Sequence, residues 1–295
     1  MNPDSFRYDG KRALVVGGAT GMGAATAKLV QELGAEVVVM DYAPVTLDGV
    51  KAISLDLRDK DGIDAALDEC GGPVHALFSC AGAADGTPGI EKINFIGHRH
   101  LIDRVIEKGY LVPGSAIGMI SSTAGLAWQT NLDAVLDYLA TPDFDSAVAW
   151  IEEHGPDASH PGNADYMWSK QAVCGYVASQ AYAMQKRGIR INAIMPGPTD
   201  TPLARSQADL WLGFGTDYRD EVGVKASTPE EQAGPLAYLC SDAAVYVNGQ
   251  TLITDAGYVS AGLTSAFPPA KPVVDFLGNF EDFLVKHGDV AAGRH

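Results

Sequence analysis

Short apolar runs alternate with helical patterns along most of this chain, and no other feature limits its possible folds as strongly. The apolar runs are rich in valine and isoleucine and do not alternate strictly with polar residues, which is typical of parallel strands buried on both faces. The predicted strands cover residues 13–16, 36–40, 52–55, 74–78, 116–120, 189–195 and 251–253, and the helical patterns include 22–33, 90–107, 165–186 and 229–240. This order predicts an α/β fold with a doubly wound parallel sheet of the Rossmann type.

Two segments depart from this alternation, although 295 residues are consistent with one domain spanning 1–295. Residues 127–162 are a predicted insertion, a helical hairpin whose second helix is expected to begin at Thr141 and Pro142. Its apolar stripe consists of Leu132, Val135, Leu136, Leu139, Phe144, Val148 and Ile151. Residues 262–295 are a C-terminal tail whose aromatic anchors, Phe267, Phe276, Phe280 and Phe283, are expected to pack on the body or on a partner subunit.

Composition argues against several kinds of partner. Lysine and arginine number 21 against 37 acids, and the resulting net charge of −16 repels phosphate backbones, which disfavours nucleic-acid binding. We find no membrane helix and no export signal, so a cytoplasmic protein without membrane association is expected. The four cysteines form no CxxC pair, so the sequence supports neither a zinc ribbon nor a thioredoxin motif. His98-Arg99-His100 lacks a third ligand, so it is interpreted as a solvated helix face and no metal site is predicted.

A glycine-rich junction follows the first predicted strand. Gly17, Gly21 and Gly23 allow the backbone to approach a pyrophosphate, and the N-terminus of the following helix offers free N–H groups. The second predicted strand is followed by Asp41, 18 residues after Gly23, where a carboxylate can accept hydrogen bonds from both ribose hydroxyls of adenosine. The pattern predicts dinucleotide binding, and because Asp41 would repel a 2′-phosphate, it favours NAD over NADP.

Two further motifs carry hydroxyl groups. Tyr166 and Lys170 are four residues apart on a predicted helix and therefore share one face. An ammonium group favours tyrosinate, so Lys170 is expected to lower the pKa of Tyr166 toward a range useful for proton transfer. Ser121 and Ser122 follow a predicted strand at the sheet edge where ligand groups gather, so a serine hydroxyl there can bind a substrate oxygen. No Gly-x-Ser-x-Gly elbow supports a serine hydrolase.

Together these motifs resemble the short-chain dehydrogenase/reductase family over roughly residues 10–260. The resemblance implies that Tyr166 transfers the proton, Ser122 orients the substrate oxygen, Asn94 supports a proton-relay water, and Lys170 also holds the nicotinamide ribose. The cofactor-binding residues it implies are Gly17, Thr20, Gly21, Met22, Gly23, Asp41, Asp56, Leu57, Ala81, Gly82, Tyr166, Lys170, Pro196, Gly197, Thr199 and Thr201. The chain departs from the family pattern at Ser79-Cys80, where two asparagines are usual, and at Ala256, where glycine is usual.

Ser122 and Tyr166 lie 44 positions apart, farther than in most members, and the excess is the predicted hairpin. Since both ends of the insertion are held near the active site, it must project beside the substrate cleft or over the outer face of the tyrosine helix. The spacing, together with Cys80-Ala81-Gly82 and Pro202-Leu203, is similar to the bacterial 3α-hydroxysteroid dehydrogenase/carbonyl reductase branch. Trp128, Leu203, Leu210, Trp211 and Phe214 are candidates for an apolar substrate pocket.

These resemblances imply an NAD-dependent oxidoreductase that interconverts a secondary alcohol and a ketone, on a hydroxysteroid or another bulky hydrophobic small molecule. A homodimer or homotetramer is expected, and the hairpin favours the dimer because it would cover a helix face that many members use as an interface. Two alternatives stay open. One is a reductase of 3-oxoacyl chains carried by an acidic protein, and the other is a non-enzymatic nucleotide-binding regulator with the same fold.

Overall fold

A seven-stranded, all-parallel sheet forms the centre of the computed structural model, which describes residues 2–155 and 166–278. Its strands are β1 (Arg12–Val16), β2 (Glu36–Asp41), β3 (Lys51–Ser54), β4 (Val74–Ser79), β5 (Leu111–Ile120), β6 (Arg190–Pro196) and β7 (Thr251–Thr254). They lie in the order β3-β2-β1-β4-β5-β6-β7. The predicted fold class and all seven predicted strands are confirmed. The strand order reverses between β1 and β4, which places a crevice at their carboxyl ends.

Helices cover both faces of the sheet. They are α1 (Gly21–Glu32), α2 (Lys60–Cys70), α3 (Gly97–Glu107), α4 (Leu132–Leu139), α5 (Phe144–His154), α6 (Tyr166–Lys186), α7 (Pro202–Arg205), α8 (Ala208–Trp211), α9 (Thr216–Val222), α10 (Pro229–Cys240), α11 (Tyr258–Leu263) and α12 (Lys271–Gly278). The helical pattern at 90–107 is divided into a π-helical turn, Lys92–Ile96, and α3. Such turns occur frequently at functional sites.

Alternate strand residues supply the two halves of the core. Leu14 and Leu77 belong to the cluster beneath α2, α3 and α6, whereas Val15 and Phe78 belong to the cluster beneath α1 and α10. All four side chains are fully buried, and each such burial contributes about 1.5–3 kcal/mol. The sheet is therefore a rigid base for the loops at the carboxyl ends of its strands.

The insertion contains two helices, α4 and α5, and its residues 156–162 lie outside the described part of the chain. The predicted start of the second helix is wrong, because Asp143 is the N-cap and its Oδ1 accepts a hydrogen bond from Ser146 N at 2.8 Å. The apolar stripe is also partly wrong. Leu132 and Leu136 stay 40% and 45% exposed, whereas Val135, Phe144 and Ile151 are buried as predicted, together with Tyr138, which the predicted stripe did not include.

The hairpin helices α4 and α5 lie over the outer faces of α3 and α6, which is one of the two placements predicted for the insertion. Val135 packs so tightly on Gly175 of α6 that a Cβ at that glycine would lie 2.3 Å from Val135 Cγ1. The rings of Tyr138 and Trp150 have centroids 4.8 Å apart. Arg99 of α3 donates a hydrogen bond to Thr141 Oγ1 at 2.8 Å. These contacts cover part of a helical surface that would otherwise face solvent.

The interpretation of His98-Arg99-His100 as a solvated helix face is wrong. His98 is 2% exposed and Arg99 is 9% exposed. Arg99 is enclosed by the hairpin, and His98 points toward the loop that follows β4. Among the residues that the structure describes, no three His, Cys, Asp or Glu side chains gather as a metal ion would require. No helix within the described ranges has both the length and the apolar character needed to cross a membrane.

The tail begins to pack on the body within its described portion. Phe267 and Val274 are buried in a small cluster with Tyr258 of α11. Residues 279–295, which include the predicted anchors Phe280 and Phe283, lie outside the described residues.

Candidate active site

The glycine-rich loop between β1 and α1 is shaped by close backbone contacts. A Cβ at Gly23 would lie 1.9 Å from the carbonyl oxygen of Gly17, and a Cβ at Gly17 would lie 2.3 Å from Ala81 N. Gly17 and Gly21 have φ values of 84° and 58°, which residues other than glycine rarely adopt. Gly21 and Gly23, in the first turn of α1, therefore place no side chain of their own between the backbone N–H groups and the cleft that they line.

The cleft is a cavity of about 360 Å³ that runs from the end of β2 to α6. Most of the predicted cofactor-binding residues line it, namely Gly17, Thr20, Gly21, Met22, Gly23, Asp41, Asp56, Leu57, Ala81, Gly82, Tyr166, Lys170 and Thr201. The lining extends from Asp41 after β2 to Tyr166 and Lys170 of α6, and glycines form the part of it at the loop between β1 and α1. These residues fit a dinucleotide with its pyrophosphate at the helix N-terminus.

Asp41 closes the far end of the cleft. Its carboxylate accepts hydrogen bonds from Ala19 N and Ala43 N, each at 2.8 Å, which fixes it beside the glycine-rich loop. Arg58 also lines this end, but its guanidinium is paired with Asp56 at 2.7 Å. Sequence reasoning missed Arg58 because no motif marks it. The local charge is therefore dominated by the carboxylate of Asp41.

The two serines after β5 have different surroundings. Ser121 is buried, and its hydroxyl donates to the Lys170 carbonyl at 2.8 Å, so it fastens β5 to α6. Both serines line a second cavity, but the hydroxyl of Ser122 is the one that hydrogen-bonds Tyr166. Because the Ser121 hydroxyl is engaged with the backbone of α6, Ser122 stays the predicted serine for substrate binding.

Lys170 and Asn94 lie behind Tyr166. The Lys170 ammonium donates to the Ile120 carbonyl at 2.9 Å and lies 5.3 Å from the centroid of the Tyr166 ring. The Asn94 amide nitrogen donates to Ala83 O at 3.1 Å and to Ser169 Oγ at 3.2 Å. Its amide oxygen accepts from Ala83 N at 2.7 Å. Asn94 therefore joins the loop after β4 to α6.

The expectation that Lys170 lowers the pKa of Tyr166 is wrong for this arrangement. Burial raises the pKa of Tyr166 to about 12, the hydrogen bond with Ser122 opposes that rise, and the Asp85 carboxylate adds to it. Burial also lowers the pKa of Lys170 to about 8. The protein around these two groups thus favours their neutral forms, and the Ser122 hydroxyl is the group that stabilises tyrosinate.

The Pro-Gly loop after β6 separates the two cavities. Pro196, Gly197 and Thr199 line the second cavity rather than the first. The Thr199 hydroxyl lies 2.9 Å from Ser227 Oγ, whereas Thr201 Oγ1 accepts from Ala204 N at 3.0 Å and caps α7. Thr201 borders both cavities, so it is the threonine of this loop that reaches the dinucleotide cleft.

The second cavity has a volume of about 490 Å³ and meets the first at Tyr166. Four of the predicted pocket residues line it, Leu203, Leu210, Trp211 and Phe214, whereas Trp128 is not among its lining residues. The Trp211 and Tyr166 rings have centroids 4.6 Å apart. Sequence reasoning missed Met167, which follows Tyr166, and the side chains that distant segments contribute, Asp85, Val273, Phe276 and Leu277. Asp85 is the only charged side chain that lines the described cavity.

The fold and the site together define a dinucleotide-binding α/β protein with a Ser-Tyr-Lys cluster beside an apolar pocket. Two family models match adjacent parts of the chain: short chain dehydrogenase matches residues 11–128, and enoyl-(acyl carrier protein) reductase matches residues 134–259. The chain belongs to the short-chain dehydrogenase/reductase family.

Its relatives include alcohol and hydroxysteroid dehydrogenases. The 3-alpha-hydroxysteroid dehydrogenase/carbonyl reductase of Comamonas testosteroni is 30% identical over 252 residues, covering 83% of this chain and 95% of that protein. Coniferyl-alcohol dehydrogenase of a Pseudomonas species is 27% identical over 260 residues, covering 85% of this chain and 97% of that protein. The structure of 3-alpha-hydroxysteroid dehydrogenase from Pseudomonas sp. B-0831 complexed with NADH has a TM-score of 0.68 at 24% identity, covering 87% and 99% of the two chains. That likeness supports the shared fold.

Proposed function

We propose that this protein is an NAD-dependent oxidoreductase that interconverts a secondary alcohol and a ketone in a neutral, bulky, apolar small molecule. The observation that carries the proposal is the position of Tyr166, which borders both the dinucleotide cleft and the apolar cavity. A group placed there can exchange a proton with a substrate oxygen in one cavity while the other holds the cofactor. A bound nicotinamide supplies the hydride chemistry.

The chain's own residues divide the remaining work. In the reductive direction, Tyr166 Oη donates its proton to the substrate oxygen, and in the oxidative direction it accepts the hydroxyl proton. Ser122 hydrogen-bonds Tyr166 and lines the substrate cavity, so it can hold the same oxygen. Lys170 would bind the nicotinamide ribose, and Asn94 would support a water that returns the proton to solvent. The cradle formed by Gly17, Gly21 and Gly23 would hold the pyrophosphate.

Asp41 supports NAD as the cofactor. A 2′-phosphate on the adenosine ribose would approach this carboxylate, and the two negative charges would repel each other. The nearby cation that could compensate is Arg58, which is already paired with Asp56 at 2.7 Å. NADP binding would therefore rely on an arginine whose charge Asp56 already balances.

The substrate cavity supports the neutral, apolar class. Its volume of about 490 Å³ falls within the range of pockets for drug-sized ligands. Leu203, Trp211, Phe214 and Phe276 supply apolar walls, and the charged group at the described lining is the Asp85 carboxylate. A substrate bearing a carboxylate would be repelled by Asp85, whereas a neutral ring system would bury apolar area without that cost.

A screen of alcohols tests this proposal. Neutral secondary alcohols, including 3α-hydroxysteroids, are incubated with NAD, and the absorbance of reduced cofactor is followed. Each neutral alcohol is paired with an analogue bearing a carboxylate, and the pairs are repeated with Asp85→Asn, which keeps an oxygen to accept the hydrogen bond from Tyr166 N. We expect turnover of neutral members and a smaller difference between pair members in the variant. Absence of turnover with every alcohol and ketone, with either NAD or NADP, would contradict the proposal.

The second candidate is a reductase of 3-oxoacyl thioesters, which the match of residues 134–259 to the enoyl-(acyl carrier protein) reductase model favours. The net charge of −16 opposes docking of an acidic carrier protein. Turnover of 3-oxoacyl thioesters with NADPH, without turnover of any alcohol, would select this candidate. Binding of NADH without turnover of any substrate would select the nucleotide-binding regulator.

A further inference from the structure

Two side chains of successive helical turns hold the loop that follows β4. Asn94 exchanges two hydrogen bonds with the backbone of Ala83, at 2.7 and 3.1 Å. His98 lies one turn later, and its Nε2 is 3.0 Å from the carbonyl oxygen of Ala81. The main chain is therefore fixed on both sides of Gly82. Asn94 has a role in the proposed mechanism, whereas His98 has none.

The chemistry around His98 selects one tautomer. A carbonyl oxygen can only accept, so Nε2 carries the hydrogen that bonds Ala81 O. Nδ1 then has a free lone pair, and it lies 2.5 Å from Ser79 Oγ, whose hydroxyl must donate to it. Burial lowers the pKa of His98 to about 4, so the imidazole is neutral around neutral pH. Ser79 and His98 are 4% and 2% exposed. Ser79 thus orients the ring, and the ring holds Ala81.

The held segment separates the two parts of the dinucleotide cleft. On one side, Ala81 N donates to Val16 O at 3.0 Å and touches Gly17, where a Cβ would lie only 2.3 Å away. On the other side, Gly82 faces the active-site ammonium, since a Cβ on it would lie 3.8 Å from Lys170 Nζ. A shift of Ala81 would therefore move the wall of the cleft between the glycine-rich loop and the catalytic lysine.

We propose that Ser79 and His98 form a positioning pair for the cofactor cleft: Ser79 fixes the His98 ring, and His98 fixes the Ala81 carbonyl and with it the cleft wall. The inference rests on the proposed function, because it takes this cleft as the nicotinamide-dinucleotide site. It gives a role to Ser79, one of the two positions where the chain departs from the paired asparagines of the family pattern.

The experiment measures NADH affinity by fluorescence titration for four single variants and for the double variant that combines Ser79→Ala with His98→Leu. His98→Leu keeps the apolar bulk but removes both hydrogen bonds, and Ser79→Ala removes only the bond that orients the ring. His98→Gln supplies an amide that can donate to Ala81 O and accept from Ser79. His100→Leu is the matched control, since His100 lies on the same helix but faces Asp64 and Phe144.

We expect His98→Leu to weaken NADH binding about tenfold, the scale set by one lost buried hydrogen bond. Ser79→Ala should weaken it by a smaller factor, His98→Gln should restore most of the affinity, and His100→Leu should bind as the wild type does. The double variant should bind no more weakly than His98→Leu alone, because Ser79 acts through His98. The cofactor KM should rise in step, while the alcohol KM stays unchanged.

A purely structural pair would behave differently. Lower thermal stability with wild-type NADH affinity in both Ser79→Ala and His98→Leu would overturn the inference. If His98→Leu does not fold, Ser79→Ala decides alone, and wild-type affinity in that variant overturns it. The proposed function fails separately, because in that case the wild-type protein itself would not bind NADH or turn over an alcohol.

Discussion

Adding one methyl group at Gly23 tests the geometry of the cofactor cradle. In Gly23→Ala the new Cβ would lie 1.9 Å from the Gly17 carbonyl oxygen, whereas real Cβ contacts essentially never fall under 3.0 Å. The atom that it meets belongs to the backbone, so no side chain can rotate away. The loop and the first turn of α1 must then separate by about 1 Å, and a misplacement of this size costs about 100-fold in rate. We expect a loss of that order in kcat/KM for the cofactor.

The assay combines NADH titration by fluorescence with steady-state kinetics and thermal unfolding. Gly234→Ala is the matched control, because Gly234 also lies within a helix but a Cβ there would have no atom within 4 Å. It should keep wild-type cofactor affinity and gain up to about 1 kcal/mol of stability. A folded Gly23→Ala protein that binds NADH as tightly as the wild type would refute the assignment of the cradle.

Three further predictions concern Asp41, Lys170 and the hairpin. Asp41→Ala should erode the preference for NAD(H) over NADP(H) in cofactor titrations, and equal affinities in the wild type would remove the basis for it. Burial lowers the pKa of Lys170 from 10.5 to about 8. Between these two pH values the unfolded chain holds the Lys170 proton more tightly than the folded chain does, so the free energy of unfolding of the wild type should increase as the pH rises. Urea unfolding should therefore show that Lys170→Met exceeds the wild type in free energy of unfolding by a margin that shrinks by up to about 3 kcal/mol from pH 8 to 10.5. A margin that does not change with pH would contradict this. Light scattering should find a dimer for the wild type and a different assembly when the insertion at 127–162 is replaced by a short loop; the same tetramer in both would show that the hairpin does not set the assembly.

Local sequence predicts the parts of the site that one segment supplies. The glycine-rich loop is such a part, because Gly17, Gly21 and Gly23 are close in sequence and their backbone geometry determines their spacing. Tyr166 and Lys170 follow from the period of one helix. Strands are also predicted well, since continuous apolar runs have few alternatives once both faces of a sheet are covered.

The rest depends on contacts between distant segments. Asp85 and Phe276 reach the substrate cavity from opposite parts of the chain, and neither lies in a pattern that predicts a meeting. His98 is polar, so the sequence predicts that it faces solvent. Its burial depends on its partner Ser79, which lies 19 residues away on another element. The pKa of Tyr166 likewise depends on how deeply the folded chain encloses it, which spacing to Lys170 does not reveal.

Replacement of Tyr166 by phenylalanine tests the central claim most directly. Tyr166→Phe keeps the ring that packs against Trp211, with centroids 4.6 Å apart, and removes only the hydroxyl that hydrogen-bonds Ser122. Turnover of the best alcohol from the screen and NADH affinity are measured on the same preparation. The account predicts a loss of turnover of about 10²–10⁴-fold with unchanged NADH affinity, because a general acid–base group contributes on that scale. Near-wild-type turnover in Tyr166→Phe would contradict the account.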